Sequence, residues 1–264
     1  MSYLGHAGGT AHLSRGVVTA PVALPVLDRA DYGIDAPGVV RAMALLAITL
    51  LGGGLVLSAT AGPVMARLGT TLLWPGASFF VTAMLMLASS RFGKLRARDR
   101  LLARLGLLGA ETVLDVGCGH GLLLVGAARR LPYGQAIGVD LWSQVDQYAN
   151  SAEATCANAM AEGVLERVLV QHGDMRKLPL PDASVDAVVS SLAIHNLSSA
   201  SERARAIQEI IRVLRPGGRL GIIDIAYVRD YARDLTRAGW TIEHRGLTPW
   251  IFPPAMVLVA KKPL

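Results

Sequence analysis

LDVGCGHGLL, Leu114 to Leu123, sets three glycines within five positions directly behind a short apolar run. A chain that leaves a strand, reverses through glycine and enters a helix keeps its backbone open to a bound group, because no Cβ stands in the way. The spacing decides which group that is. A dinucleotide fingerprint, G-x-G-x-x-G, would need glycine at 122 after Gly117 and Gly119, but Leu122 stands there and the third glycine is Gly121.

Outward from this loop, short apolar runs alternate with helical stretches, the pattern of a parallel sheet covered by helices. Strands are predicted at Thr112–Asp115, Ala136–Asp140, Val168–His172, Val185–Ser190, Arg219–Ile225, Thr241–Leu247 and Met256–Lys261. Helices fit at Leu122–Leu131, Ser143–Glu162, Ser201–Leu214 and Val228–Ala238, with one more around Leu101. The last two strands follow each other through LTPWIFPP without a clear helix, so that pair can be antiparallel. Asp140 ends the second strand in AIGVDLW, 19 residues beyond Gly121, where a carboxylate can accept both hydroxyls of a ribose or cap the next helix. HGDMRKLPLPD follows the third strand, and RVLRPGGRLGIID, Arg212 to Asp224, reads as helix, tight turn and fifth strand.

Taken together, V-L-D-V-G-C-G-H-G, the Asp140 spacing, the Asp174 segment and the RPGG turn resemble class I S-adenosylmethionine-dependent methyltransferases, of the UbiE and Methyltransferase-11 kind, from about Leu101 to the C-terminus. The resemblance implies a Rossmann-like seven-stranded sheet, mostly parallel with the last strand antiparallel, and S-adenosylmethionine as cofactor. It places Asp115, Gly117, Cys118, Gly119 and Gly121 at the methionine end, with Asp115 accepting from the ammonium. Cys118 is a small filler of the turn rather than a nucleophile, and His120 belongs near the carboxylate end. Asp140 takes the ribose, Leu141 and Trp142 lie beside the adenine, Asp174 meets its amino group or merely forms a turn, and Met175 packs near the ring. Ser190, at the end of the fourth strand, joins the cofactor contacts. His195, in SSLAIHNL just beyond it, faces the methyl group in this fold. It is a candidate base for an acceptor that must lose a proton, or a helix cap, and Asn196 is a candidate for positioning that acceptor. The RPGG element is read as scaffold rather than chemistry.

The 264-residue chain is 52% hydrophobic and only 17% charged, and its apolar surplus is local. Ala42–Ala66 is 25 residues without a charge, Arg67 interrupts, and Leu68–Ser90 adds 23 more. Each run exceeds the roughly 20 helical residues that cross a bilayer core. A hairpin of two transmembrane helices over 41–90 is expected, with the break at Gly62, Pro63, Arg67 and Gly69, a possible kink at Pro75, and Gly52, Gly53 and Gly54 serving close helix packing. A pair of buried helices in a soluble domain is the alternative. Much of the net charge of +6 sits in Arg91–Arg104, where six basic residues oppose Asp99. That locality argues against nucleic acid as partner and, by the positive-inside tendency, puts Arg91 onward in the cytoplasm. Leu95, Leu101, Leu102 and Leu105 could give this stretch an apolar side at the membrane surface, or the stretch could be a solvated linker. Two cysteines, Cys118 and Cys156, make neither a disulfide framework, a metal site nor the thiol cluster an arsenite acceptor calls for.

The expected organisation is therefore an N-terminal segment at 1–40 of open role, including the unassigned DYGIDAPGVVR, then the hairpin at 41–90, a basic juxtamembrane helix or linker at 91–108 and a methyltransferase domain at 109–264. The expected activity is methyl transfer to a lipidic or amphipathic acceptor: a quinone, a prenylated phenol, a phospholipid amine or a fatty acyl group. Trp250–Pro254 could line its apolar entrance or belong to the core. The competing readings are a soluble acceptor with the hairpin as anchor only, a non-enzymatic membrane scaffold that binds S-adenosylmethionine, and a nicotinamide-dependent reductase, which Leu122 and the Asp174 segment disfavour.

Overall fold

The computed structural model of the chain describes residues 10–11, 22–25, 27–60, 62–143 and 150–264. A short antiparallel pair, β1 (Thr10–Ala11) and β2 (Val22–Ala23), precedes two long helices, α1 (Pro37–Thr60) and α2 (Pro63–Ala88). Pro63 opens α2 behind an extended Gly62, as suits a residue with fixed φ and no N–H to satisfy. Arg67, Gly69 and Pro75 lie inside α2, so the break between the helices is tighter than the sequence implied and Pro75 does not end the second one. The helices meet along small residues. A Cβ on Gly69 would fall 2.6 Å from the Gly54 carbonyl oxygen, and one on Gly76 would fall 2.9 Å from Leu51 Cγ. Of the three adjacent glycines only Gly54 serves this contact, because Gly52 and Gly53 face open space. Both helices are long and apolar enough to cross a membrane.

α2 continues through one π-helical turn, Ser89–Gly93, into α3 (Lys94–Leu105), which Gly106 ends in the left-handed region. The basic stretch does not lay a leucine face on a lipid surface. Leu101, Leu102 and Leu105 are at most 1% exposed and pack against α4 and the sheet, so α3 is a layer of the sheet domain, and the apolar side needed for membrane contact is already spent. Of the six basic residues in Arg91–Arg104, Lys94 and Arg98 are buried and the other four are exposed.

The rest alternates as the apolar pattern demands: β3 (Thr112–Val116), α4 (Leu122–Ala128), β4 (Gln135–Asp140), α5 (Ala152–Ala161), β5 (Val168–His172), β6 (Val185–Ser191), α6 (Ala200–Val213), β7 (Leu214–Asp224), α7 (Val228–Arg237), β8 (Thr241–Thr248) and β9 (Ala255–Lys261). The sheet order is β5-β4-β3-β6-β7-β9-β8, parallel except for β9, which runs antiparallel to both its neighbours. All seven expected strands form. β7 starts at Leu214 rather than Arg219, because Leu214 pairs with Val185 ahead of a register shift. α5 starts at Ala152 rather than Ser143, where the Ser151 hydroxyl accepts from Ala154 N. Residues 144–149 of that expectation lie outside the described residues. α6 carries a full capping box between Ser199 and Glu202. One apolar layer lies between the sheet and α3, α4 and α5, and the other lies under α6 and α7 around Ile207, Ile210, Tyr231 and Leu235. The chain reverses strand order between β3 and β6, and ligands of open α/β sheets bind beyond the carboxyl ends of the strands at such a switch point.

Candidate active site

A cavity of about 710 Å³ opens at that point. The turn after β3 forms its floor: Gly117 and Cys118 donate their amides to Val139 O, tying the turn to β4. Gly117 has φ +71, and a Cβ there would stand 2.4 Å from Ala193 Cβ, so only glycine fits. Gly117 and Gly119 line the cavity, while Gly121 is turned away against Thr155 and starts α4. Thr155 braces the turn from behind by donating to Gly119 O. Asp140, at the tip of β4, accepts from Gly119 N at 2.9 Å through one oxygen and from Trp142 N and Asn150 Nδ2 through the other. Asp140, Leu141 and Asn150 line the cavity, whereas Trp142 packs against the core.

Asp115 is not at the cavity surface. It is 2% exposed, accepts from Leu124 N at 2.8 Å and so caps α4 from within, and its Oδ1 is buried without a hydrogen-bond partner among the described residues. Burial pushes its carboxyl up to about 8, with the Asp140 charge acting in the same direction against the Leu124 amide. Burial likewise lifts the Cys118 thiol well above its ordinary value, with Asp115 and Asp140 adding to it, which suits an inert filler. Asp174 turns away into an Asx turn and an ion pair: it accepts from Arg176 N and from the Arg176 guanidinium, which holds its carboxyl below the usual value. Its neighbours Gly173 and Met175 line the cavity instead. Ser190 is 1% exposed and donates to Val116 O, so it is Ser191 that reaches the cavity.

At the opposite wall a short turn after β6, Ile194–Asn196, presents His195 and Asn196 to the cavity. His195 is held from below. Its amide donates to Asp224 Oδ2, and its Nδ1 lies 2.5 Å from Asp224 Oδ1, on a carboxylate that is fully buried at the end of β7. Tyr231 lies beneath in the core, its hydroxyl kept protonated by burial and by the Asp224 charge. The strand read as scaffold thus delivers Asp224 to the site. Its signal was a carboxylate closing the fifth strand in GIID, legible only once that strand is known to lie beside the fourth.

The larger omission is the segment before α1. Tyr32, Asp35, Ala36, Pro37, Gly38 and Val39 all line the cavity. The strap is sewn down at both ends. Asn158 accepts from Asp31 N and donates to both Asp31 O and His120 O, while Lys94 Nζ donates to Tyr32 O, Gly33 O and Asp35 Oδ1. Ser90 accepts from Asp35 N, and Ser89 accepts from Phe252 N, so the π turn also anchors the Ile251–Pro253 loop, which lines the cavity. Trp250 and Pro254 do not line it; the guanidinium of Arg100 stands 4.5 Å from the Trp250 ring centre.

The residues fit S-adenosylmethionine. A side-chain-free cradle at Gly117 and Gly119 adjoins the Asp140 carboxylate, and two lining residues beside them carry buried polar atoms without partners among the described residues, His120 Nε2 and Asn150 Oδ1.

Residues 114–222 match the model of the methyltransferase domain family. An uncharacterized methyltransferase of Mycobacterium tuberculosis is 34% identical over 125 residues, 47% of this chain and 56% of that one. The 27-O-demethylrifamycin SV methyltransferase of Amycolatopsis mediterranei is 32% identical over 133 residues, 50% of this chain and 45% of that one. The chain thus spans about half the length of these curated relatives. A methyltransferase from Aquifex aeolicus described as SAM-dependent shares the fold, with a TM-score of 0.50 at 23% identity over 64% of this chain and 90% of that one. Over residues 114–222 the chain accordingly resembles a methyltransferase domain, set in a Rossmann-like sheet behind two apolar helices.

Proposed function

We propose that the protein is a membrane-anchored methyltransferase that transfers a methyl group from S-adenosylmethionine to a lipidic or amphipathic acceptor. The observation that carries this reading is a single cavity shared by the Gly117–Gly119 cradle, Asp140, the His195–Asp224 pair and the base of the apolar hairpin.

When bound, S-adenosylmethionine supplies a methyl group on a positively charged sulfur, an electrophile whose leaving group departs neutral. Gly117 and Gly119 would hold its methionine end and Asp140 its ribose. Approximation of this kind is worth several kcal/mol, up to roughly 10. Asp224 beside Nδ1 leaves His195 Nε2 to the acceptor, where it would take a hydroxyl proton while the buried carboxylate stabilises the imidazolium formed. Asn196 offers its amide to the same acceptor.

For the membrane, the support is the outward face of the hairpin. Ile48, Val64 and Trp74 are 68, 70 and 82% exposed, an arrangement costly in water and ordinary in lipid. Arg91, Arg96, Arg100 and Arg104 are exposed on the domain side against Arg67 near the opposite turn, which orients the domain to the cytoplasm.

The test is to incubate the detergent-purified full chain with methyl-labelled S-adenosylmethionine and a total lipid extract, then partition the products. Organic-phase label that disappears in Asp140→Ala is the expected result. Cofactor binding without organic label overturns the lipidic acceptor and leaves the hairpin an address.

A further inference from the structure

The cavity has two unlike ends. Toward the sheet it is lined by glycine amides, Asp140, Asn150, His195 and Asn196; toward the hairpin by Pro37 and Val39 of α1, Met86 of α2, and Ile251, Phe252 and Pro253. Val39 and Met86 belong to the first turn of one helix and the last turn of the other, so both lie at the end of the hairpin nearest the domain. That wall is fixed. The π turn binds the strap through Ser90 and Lys94 and the Phe252 loop through Ser89, and Gly93 is so close to the Trp250 carbonyl that a Cβ would overlap it. A helix of 24 or 26 residues rises about 36 to 39 Å, more than the roughly 30 Å of a hydrocarbon core, which sets its last turn at the level of the lipid headgroups.

The charge of the cavity narrows what can enter. Among the described lining residues Lys94 is the one lysine or arginine, and its ammonium already donates to three oxygens. None of these residues leaves a lysine or arginine over for a phosphate or carboxylate, and desolvating an unpaired anion here would be costly. A neutral hydroxyl finds His195 instead.

Resting on the lipid-acceptor reading above, we infer that Val39, Met86 and Phe252 frame a lateral portal through which an uncharged, hydroxyl-headed lipid reaches His195. Its hydrocarbon tail passes between the hairpin base and the Phe252 loop into the bilayer. These three residues set selectivity for tail and charge, and the Lys94-clamped strap keeps water out of the opposite side.

The experiment uses the full chain in phosphatidylcholine nanodiscs with two photoprobes, a long-chain 4-alkylphenol bearing a diazirine on its tail and the matching 4-alkylbenzoic acid, present as its benzoate anion. Peptides labelled on irradiation are mapped by mass spectrometry. Labelling of the Val39, Met86 and Phe252 peptides by the phenol, at least tenfold above the benzoate, is expected. Val39→Trp, at an exposed rim position where the fold tolerates bulk, should reduce that labelling at least fivefold while cofactor affinity by calorimetry stays unchanged; Met86→Trp should act in the same direction. Label confined to the outward faces around Ile48 and Trp74, equal labelling by the benzoate, or no effect of either tryptophan overturns the portal. The two proposals fail separately: portal labelling without methyl transfer to the lipid extract removes only the lipid acceptor, and methyl transfer without portal labelling removes only the portal.

Discussion

α2 and α3 form one almost unbroken helical run, yet they follow opposite rules. α2 buries Gly69, Gly76, Ala83 and Met86 and exposes Val64, Leu68, Trp74 and Phe80. α3, one π turn further on and far more charged, buries Leu101, Leu102 and Leu105 and exposes arginine. Small residues inside and large apolar ones outside is packing without a hydrophobic drive between the helices. Large apolar residues inside and charge outside is packing in water. Under the membrane anchoring proposed above, the same run of chain answers to two solvents, and the π turn at Ser89–Gly93 is where they meet. π turns are rare and collect at functional sites, and this one anchors two walls of the cavity.

The sharpest way to break this contrast is a matched pair of truncations. Leu102→Ala should cost about 2 to 5 kcal/mol of stability for the full chain in mild detergent, by the cavity it leaves, whereas Leu68→Ala, at a site 51% exposed, should change the unfolding midpoint little. Equal losses would mean that α2 is covered by protein. Next in size is the polar interior that only the sheet domain possesses. Asp224→Asn should lower kcat on the order of 100-fold with KM nearly unchanged, since His195 would lose the carboxylate beside its Nδ1. A smaller effect is expected at the cofactor: Asp140→Ala should weaken S-adenosylmethionine binding by about 1 to 3 kcal/mol in calorimetry, as for lost charge-assisted hydrogen bonds. A change in stability with pH should separate Asp115 from these groups. Burial pushes its folded carboxyl up to about 8 from an ordinary value of 3.8, so the folded chain holds the extra proton between those values. The cofactor-free protein should therefore lose stability as pH rises from about 4 to about 8, and Asp115→Asn should flatten that slope in thermal melts. Smallest of all, Cys118 should resist alkylation in the folded protein at pH 8, because burial keeps its thiol protonated.

Legibility follows the range of the interaction. The glycine turn, the succession of strands and helices behind it and Asp140 at the tip of its strand were readable because each is a local pattern whose backbone demands show in neighbouring residues. The aim of the Asp115 and Asp174 side chains was not readable. A carboxylate in the right place along the chain can spend itself on Leu124 N or on Arg176, and the sequence does not say which way the side chain turns. Asp224 and the Tyr32–Asp35 strap were not readable at all, since their meaning lies in contacts with residues far along the chain, Asp224 with His195 and Asp31 with Asn158.

The sequence by itself determined a glycine-bearing strand–turn–helix, an alternating α/β domain and two apolar runs long enough for a bilayer, because periodicity, turn chemistry and helix length are properties of contiguous residues. Only the tertiary structure decided that the leucines of the basic helix face a sheet, that a fifth-strand carboxylate holds His195, and that an N-terminal strap and the hairpin base close the same cavity. Those outcomes depend on which surfaces meet once the chain is compact, and burial and hydrogen bonding settle that across distances no local pattern spans.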